Sequence, residues 1–360
     1  MRERKRVLIC PLDWGLGHAA RDVPLIKLFI KYNFEPIIAS CGNTYELLHR
    51  EFPELQIIEF PGYSIRFSKY RSQVLKMLLL IPKIIFWIIK EHRTLRKVIK
   101  ENNIDIVFSD NRFGLWNKST YNIFMTHQLK VKFPGLLRFL EPIYKFISYH
   151  LIKKYDECWI PDYEGDVNLS GELSHIECKL KNIYFIGPLS KFADTDVENT
   201  TKIFDILYIL SGPKPQRSIF EKIIYKQTIN SDLKCGIVRG TSEECKNDFN
   251  FPVYDIVNTE ELLGLISKTE LVVCRSGYSS VMDLFLLKKN AVLVPTPGQT
   301  EQEYIAKYLF KRGLFYSVSQ REFNLNGILS NVIDFPKMLL YKTNKKEKRI
   351  MALKEMYNKK

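Results

Sequence analysis

The stretch from 271 to 304, LVVCRSGYSSVMDLFLLKKNAVLVPTPGQTEQEY, constrains the fold more than any other part of the chain. An apolar run, Leu271 to Cys274, breaks at Arg275-Ser276-Gly277; a helical pattern begins near Ser279, and a second apolar run, Ala291 to Val294, stops at Pro295. This order predicts strand, turn, helix, strand, the βαβ unit of a parallel sheet. Ligands of such units bind outside the carboxyl ends of the strands, and both polar clusters, RSGYSS and PTPGQTEQE, fall at such ends.

The residue types suggest what binds there. Gly277 lets a ligand come close to the backbone, and the free N–H groups and dipole at the start of the following helix favour an anion such as a diphosphate. Arg275, Ser276, Ser279 and Ser280 supply further donors. Asp283 is placed to accept from a ribose diol, and Gln299, Gln302 and Glu303 suit sugar hydroxyls. A competing reading makes Ser280-x-x-Asp283 a helix capping box, which leaves the second cluster unexplained.

RSGYSSVMD followed by PTPGQTEQEY resembles the nucleotide-sugar half of the GT-B glycosyltransferases of family 28. The resemblance implies an α/β fold of two Rossmann-like, doubly wound domains facing across a cleft. It also implies a UDP-sugar as substrate, no cofactor, no metal, and transfer with inversion. On this pattern the Gly277 turn holds the diphosphate, Asp283 the ribose, and Gln302 with Glu303 the donor sugar, although the family has a second glutamine where Glu303 stands.

The chain opens with a short buried-strand pattern, Val7 to Cys10, followed by PLDWGLGHAARDVPLIKLFIKY. Gly15 and Gly17 permit a tight turn into a helix, and His18 at that turn is a candidate base for an acceptor hydroxyl near neutral pH. A histidine that only caps or packs is the alternative. The resemblance favours the base, because family 28 has a Gly-rich loop ending in Gly-His where Gly17-His18 stand. Asp13-Trp14 replace glycines of that loop, and Asp13 is read as a partner of His18, a second acid or base, or a turn cap. Two further strand ends, Asp110-Asn111-Arg112 and His127-Gln128, are expected on the same sheet edge as acceptor contacts, with His127 the second candidate base.

Alternating strand and helix patterns predict a first domain over 1–190, an acceptor domain. ADTDVENTTK lacks apolar periodicity and marks the boundary; a donor domain follows over 201–335, and a basic helix over 336–360 is expected to cross back to the first domain. In the second domain Ser211-Gly212 and Arg239-Gly240-Thr241 close two strands as further donor contacts. Pro213 and Pro215 remove N–H donors there, so Lys214 and Arg217 are expected to compensate by charge.

The formal net charge of +14 points to acidic partners: nucleotide phosphates, an anionic membrane surface, or nucleic acid. No recognisable nucleic-acid motif accompanies the basic residues, so nucleic acid is not expected. Seven scattered cysteines read as reduced thiols. MRERKR precedes only four apolar residues, short of a signal-peptide core, which implies a cytoplasmic chain. Lys69, Lys76, Lys83, Lys90 and Lys97 recur every seven residues through a largely apolar segment, and a second basic and aromatic stretch covers 130–155. These are either buried helices or a peripheral membrane face. The full reading is a transfer of a sugar, N-acetylglucosamine among the candidates, to a saccharide or lipid-linked cell-envelope acceptor. A nucleotide-sugar epimerase on the same fold and a non-catalytic basic binding protein are the rivals.

Overall fold

The computed structural model describes residues 4–13, 16–62, 81–133, 135–177, 180–192, 201–212, 214–241, 243–332 and 343–358. They fall into two compact units: one reaches Ser190 and takes in the C-terminal helix, the other runs from Lys191 to Leu340.

The first unit holds a seven-stranded, all-parallel sheet. Its strands are β1 (Arg6–Cys10), β2 (Glu35–Ser40), β3 (Ile57–Glu59), β4 (Ile106–Asp110), β5 (Tyr121–Met125), β6 (Glu157–Ile160) and β7 (Ile183–Phe185). The order is β3-β2-β1-β4-β5-β6-β7, so the winding reverses between β1 and β4, where Cys10 pairs with Ser109. β1 and β4 are buried along nearly their whole length and apolar from Val7 to Cys10 and from Ile106 to Phe108, as strands covered on both faces must be. Helices α1 (Leu16–Lys31), α2 (Gly42–Glu51), α3 (Ile81–Asn102) and α4 (Glu141–Ile152) connect them.

The second unit repeats the plan with β8 (Phe204–Ile209), β9 (Cys235–Val238), β10 (Val253–Tyr254), β11 (Thr269–Cys274), β12 (Ala291–Leu293) and β13 (Tyr316–Ser317). Its order is β10-β9-β8-β11-β12-β13, again all parallel, with the reversal between β8 and β11. Helices α5 (Gln216–Thr228), α6 (Thr259–Ser267), α7 (Tyr278–Leu286), α8 (Thr300–Lys311) and α9 (Leu325–Val332) belong to it. A core of Ile206, Tyr208, Phe220, Ile237, Val273 and Val292 joins sheet to helices.

The last helix, α10 (Lys345–Asn358), packs on the first unit. Arg349 pairs with Glu157 and lies 3.6 Å from the Tyr184 ring, while the Tyr357 hydroxyl donates to Asp105 O at 3.0 Å. Glu157 also accepts from Trp159 Nε1 at 2.6 Å and from the Tyr121 hydroxyl at 2.7 Å, which orients it for the arginine.

The two stretches with membrane character have exposed apolar residues. On α3, Ile85, Phe86 and Ile89 lie open beside Lys83 and Lys90, and on α4 Ile143, Phe146 and Ile147 are exposed, with Lys145 half-buried between them. Phe146 is 75% exposed, far from the burial expected of a packed core residue. Lys69 and Lys76 lie outside the described residues. No helix among the described residues is long and apolar enough to cross a membrane.

Candidate functional site

In an open parallel sheet the loops diverge where the winding reverses, leaving room for a ligand at the carboxyl edge. In the first unit β1 leads there into the loop carrying Asp13 and His18, and β4 ends there on Asp110. His18 sits in the first turn of α1, and its Nδ1 lies 2.8 Å from Asp110 Oδ2. Burial of Asp110 alone would raise its pKa, but the Arg21 guanidinium and His18 outweigh it and hold the carboxyl down to about 2. His18 Nδ1 also lies 2.9 Å from Arg21 Nη2, but an ionised carboxylate only accepts, and its shorter contact places the hydrogen on His18 Nδ1 and leaves the Nε2 lone pair free of a proton. Burial, assisted by the Arg21 charge, lowers the His18 pKa against the pull of Asp110, so the ring is neutral at neutral pH. The ring keeps 18% of its side-chain surface exposed. It is a neutral, oriented, reachable imidazole.

The partner of His18 is therefore Asp110, not Asp13. Asp13 instead accepts from Thr44 Oγ1 at 3.2 Å and from Cys41 Sγ at 3.3 Å, tying the first loop to the start of α2. Asp110 is fully buried, which removes it from the acceptor contacts expected of it. Arg112 leaves that group too: it is 3% exposed and bound to Pro11 O, Pro61 O and Glu91. Asn111 takes a left-handed backbone, φ 57°, and its side chain accepts from Thr126 Oγ1. His127 is 4% exposed, and its Nδ1 accepts from Arg21 Nη1 at 2.9 Å. A neutral ring so bound carries its hydrogen on Nε2, which is the wrong tautomer for a base at that nitrogen. Gly17 is exposed at the helix start, and Gly15 lies outside the described residues.

Sequence reasoning missed Arg21. The signal was its place three residues after His18, on the same face of one helix. Asp22 beside it is fully buried, and its carboxyl oxygens make no hydrogen bond among the described residues. Burial, then the nearby Asp110 charge, drive its pKa well above the usual carboxylate range, so it is held protonated and adds no charge to the site.

In the second unit the reversal lies between β8, which ends before Ser211-Gly212, and β11, which ends before Arg275-Ser276-Gly277. α7 begins at Tyr278 with Gly277 as its N-cap and without a side-chain cap. Ser280 is thus inside the helix, and the capping-box reading of Ser280 and Asp283 falls. Ser279 and Ser280 occupy the first turn, and Asp283 is half-buried in the next. Gly277 has φ −66°, open to any residue, and a Cβ built there meets nothing within 4 Å. Its bareness serves the space in front of it. Gly212 and Gly240 have φ 85° and 64°, which side chains adopt only with strain.

Several expected donor contacts prove architectural. Arg275 is 1% exposed; it donates to Val294 O, Gln216 O and Gln320 Oε1 and stacks 4.4 Å from the Phe220 ring, so it knits β11 to the strand and helix beside it. Burial lowers its pKa to about 10, still charged at neutral pH. Arg239 is held by Glu221, Asp255 and Glu243 O. Ser276 is buried and donates to Gln302 O. Thr241 Oγ1 accepts from Glu243 N. Lys214 and Arg217 both pair with Glu243. Gln302 Oε1 accepts from Thr296 N and Glu303 Oε1 from Gly298 N, each at 2.9 Å, so both side chains fix the loop after β12. Gln299 is the N-cap residue of α8 without a side-chain cap bond. Gly277 and the first turn of α7 stand at the carboxyl end of β11, with Asp283 half-buried one turn further on.

Residues 221–358 match the glycosyltransferase family 28 C-terminal domain. A UDP-N-acetylglucosamine--N-acetylmuramyl-(pentapeptide) pyrophosphoryl-undecaprenol N-acetylglucosamine transferase of Desulforudis audaxviator is 34% identical over 107 residues, 29% of this chain and 28% of the relative. The match thus spans less than a third of that curated relative. An uncharacterized glycosyltransferase of Methanosarcina acetivorans is 21% identical over 331 residues, 86% of this chain and 84% of the relative. The crystal structure of the glycotransferase of kitacinnamycin superposes with a TM-score of 0.63 at 12% identity, covering 98% of this chain and 95% of the other. The chain thus takes the two-unit GT-B fold, with the similarity to the glycosyltransferase family 28 C-terminal domain confined to residues 221–358.

Proposed function

We propose that the protein is a glycosyltransferase that moves a sugar from a UDP-sugar to a hydroxyl of a saccharide or lipid-linked cell-envelope acceptor. The observation that carries this reading is the His18–Asp110 pair at the winding reversal of the first sheet. His18 Nε2 takes the proton of the acceptor hydroxyl as that oxygen bonds to the anomeric carbon of the donor. The anomeric carbon–oxygen bond breaks with inversion, and the electron pair leaves with the UDP diphosphate. Asp110 stabilises the imidazolium that forms. The N-terminus of α7 at Gly277 meets the diphosphate charge through the N–H groups of its first turn and the helix dipole, with no metal or further cofactor required, and Asp283 accepts from the ribose.

The apolar residues exposed on α3 and α4, with exposed Lys83 and Lys90 on α3, support peripheral attachment to an anionic membrane on its cytoplasmic side. A thermal-shift screen of UDP-, GDP- and dTDP-sugars tests the donor: a UDP-sugar raises the melting temperature in proportion to the logarithm of its excess. No shift with any UDP-sugar overturns the reading. Conversion of the UDP-sugar to an epimer without an acceptor replaces it with the epimerase.

A further inference from the structure

Arg21 follows His18 by one helical turn and is 2% exposed. Its Nε donates to Asp110 Oδ2 at 2.9 Å, its Nη2 to Asp110 Oδ1, and its Nη1 to His127 Nδ1 at 2.9 Å. Nη2 also lies 2.9 Å from His18 Nδ1. A guanidinium has donors only, in a rigid planar fork. On His127 it therefore meets a bare Nδ1, which puts the hydrogen on Nε2, where the Gln128 amide, its nitrogen 3.3 Å away, must turn its oxygen to accept. On His18 the ordering is reversed: the carboxylate that the fork holds bidentately takes the Nδ1 hydrogen, and Nε2 is left bare.

Resting on the reading of His18 as the base, we propose that Arg21 is a positioning residue that imposes opposite tautomers on His18 and His127, directly on one ring and through Asp110 on the other. The arrangement fixes one ring as proton acceptor and the other as donor at their Nε2 atoms. The charged and titratable groups acting on His18 are Asp110, Arg21 and His127, and Asp110 and Arg21 act in turn on Asp22, which stays protonated. Arg21 balances the Asp110 carboxylate and opposes a second positive charge on His18. Without it, His18 faces an unbalanced carboxylate and holds a proton to higher pH.

Imidazole nitrogen shifts of the 15N-labelled full-length protein test this through long-range proton–nitrogen correlations, titrated from about pH 5 to about pH 9. His18→Gln and His127→Gln assign the two rings. The wild type is expected to carry hydrogen on Nδ1 of His18 and on Nε2 of His127. Arg21→Gln is expected to move the His18 titration to higher pH and to mix the His127 tautomers; Arg21→Lys, which keeps the charge without the fork, returns the titration towards wild type but not the tautomers. Turnover of a UDP-sugar in Arg21→Gln should fall roughly 10-fold to 100-fold at unchanged donor KM. The nitrogen shifts need no turnover, so they decide the proposal even where the transferase reading fails. The opposite tautomer on either ring of the wild type overturns it, and this result stands if Arg21→Gln does not fold. Unchanged tautomers and titration in a folded Arg21→Gln overturn it equally.

Discussion

Asp110 Oδ2 lies 2.8 Å from His18 Nδ1 although 92 residues separate them, because β1 and β4 are neighbours in the sheet. This pair makes the imidazole of the first loop a candidate base. His18→Ala should lose on the order of 100-fold to 10,000-fold in turnover, the usual range for a general base, with UDP affinity nearly unchanged. His127→Ala should lose less, because its bare nitrogen is already bound by Arg21. Steady-state kinetics of both variants with a UDP-sugar check this, and a larger loss at His127 would move the base there.

Asp110 also anchors the buried Arg21 charge. Asp110→Asn removes one partner of a buried pair, so the native state should lose about 3 to 5 kcal/mol of stability. Urea unfolding at constant pH measures it. A midpoint equal to wild type would mean that water already screens the arginine.

Asp22 gives a pH signature. Its folded pKa is raised, so above the unfolded value near 3.8 the unfolded chain releases a proton that the native state keeps, and stability is lost as pH rises towards the folded pKa. Asp22→Asn removes this dependence. Its melting temperature should gain on wild type as pH rises above about 4, and parallel curves would contradict a protonated Asp22.

Gly277→Ala separates fold from donor binding. Its φ suits alanine and the space beyond its Cβ position is open, so the melting temperature should hold while UDP affinity falls, the methyl group filling the approach to the helix start. Asp283→Ala should weaken UDP by about 1 to 3 kcal/mol, the range for a lost charge-assisted hydrogen bond. Calorimetric titration of UDP reads both, and full affinity in both variants would place the nucleotide elsewhere.

Sedimentation with anionic vesicles tests the exposed faces of α3 and α4. The protein should pellet at low salt and be released as ionic strength rises, each Lys or Arg near the surface contributing about 1 kcal/mol. Phe146→Ser with Ile147→Ser should reduce pelleting at every salt concentration. Recovery in the supernatant at low salt would rule out this surface as a membrane anchor.

The sequence by itself determined the architecture. Apolar runs ending in polar clusters, at strand length and alternating with helical periods, admit little but a parallel sheet, and they located the βα turns at His18 and Gly277 to within a residue or two. The C-terminal edge of each sheet was legible for the same reason: polarity changes sharply where a buried strand ends.

Which polar groups face a ligand was decided by tertiary structure alone. Arg275, Arg239 and Arg112 stand at strand ends as an anion site would require, yet each is turned inward and bound by carbonyl and carboxylate oxygens of neighbouring elements. A buried loop backbone needs donors as much as a diphosphate does, and one-dimensional spacing cannot tell the two demands apart. The partner of His18 was equally out of reach of local reasoning: Asp13 is five residues away in the chain, but strand pairing brings Asp110 to the ring and sends Asp13 to Thr44.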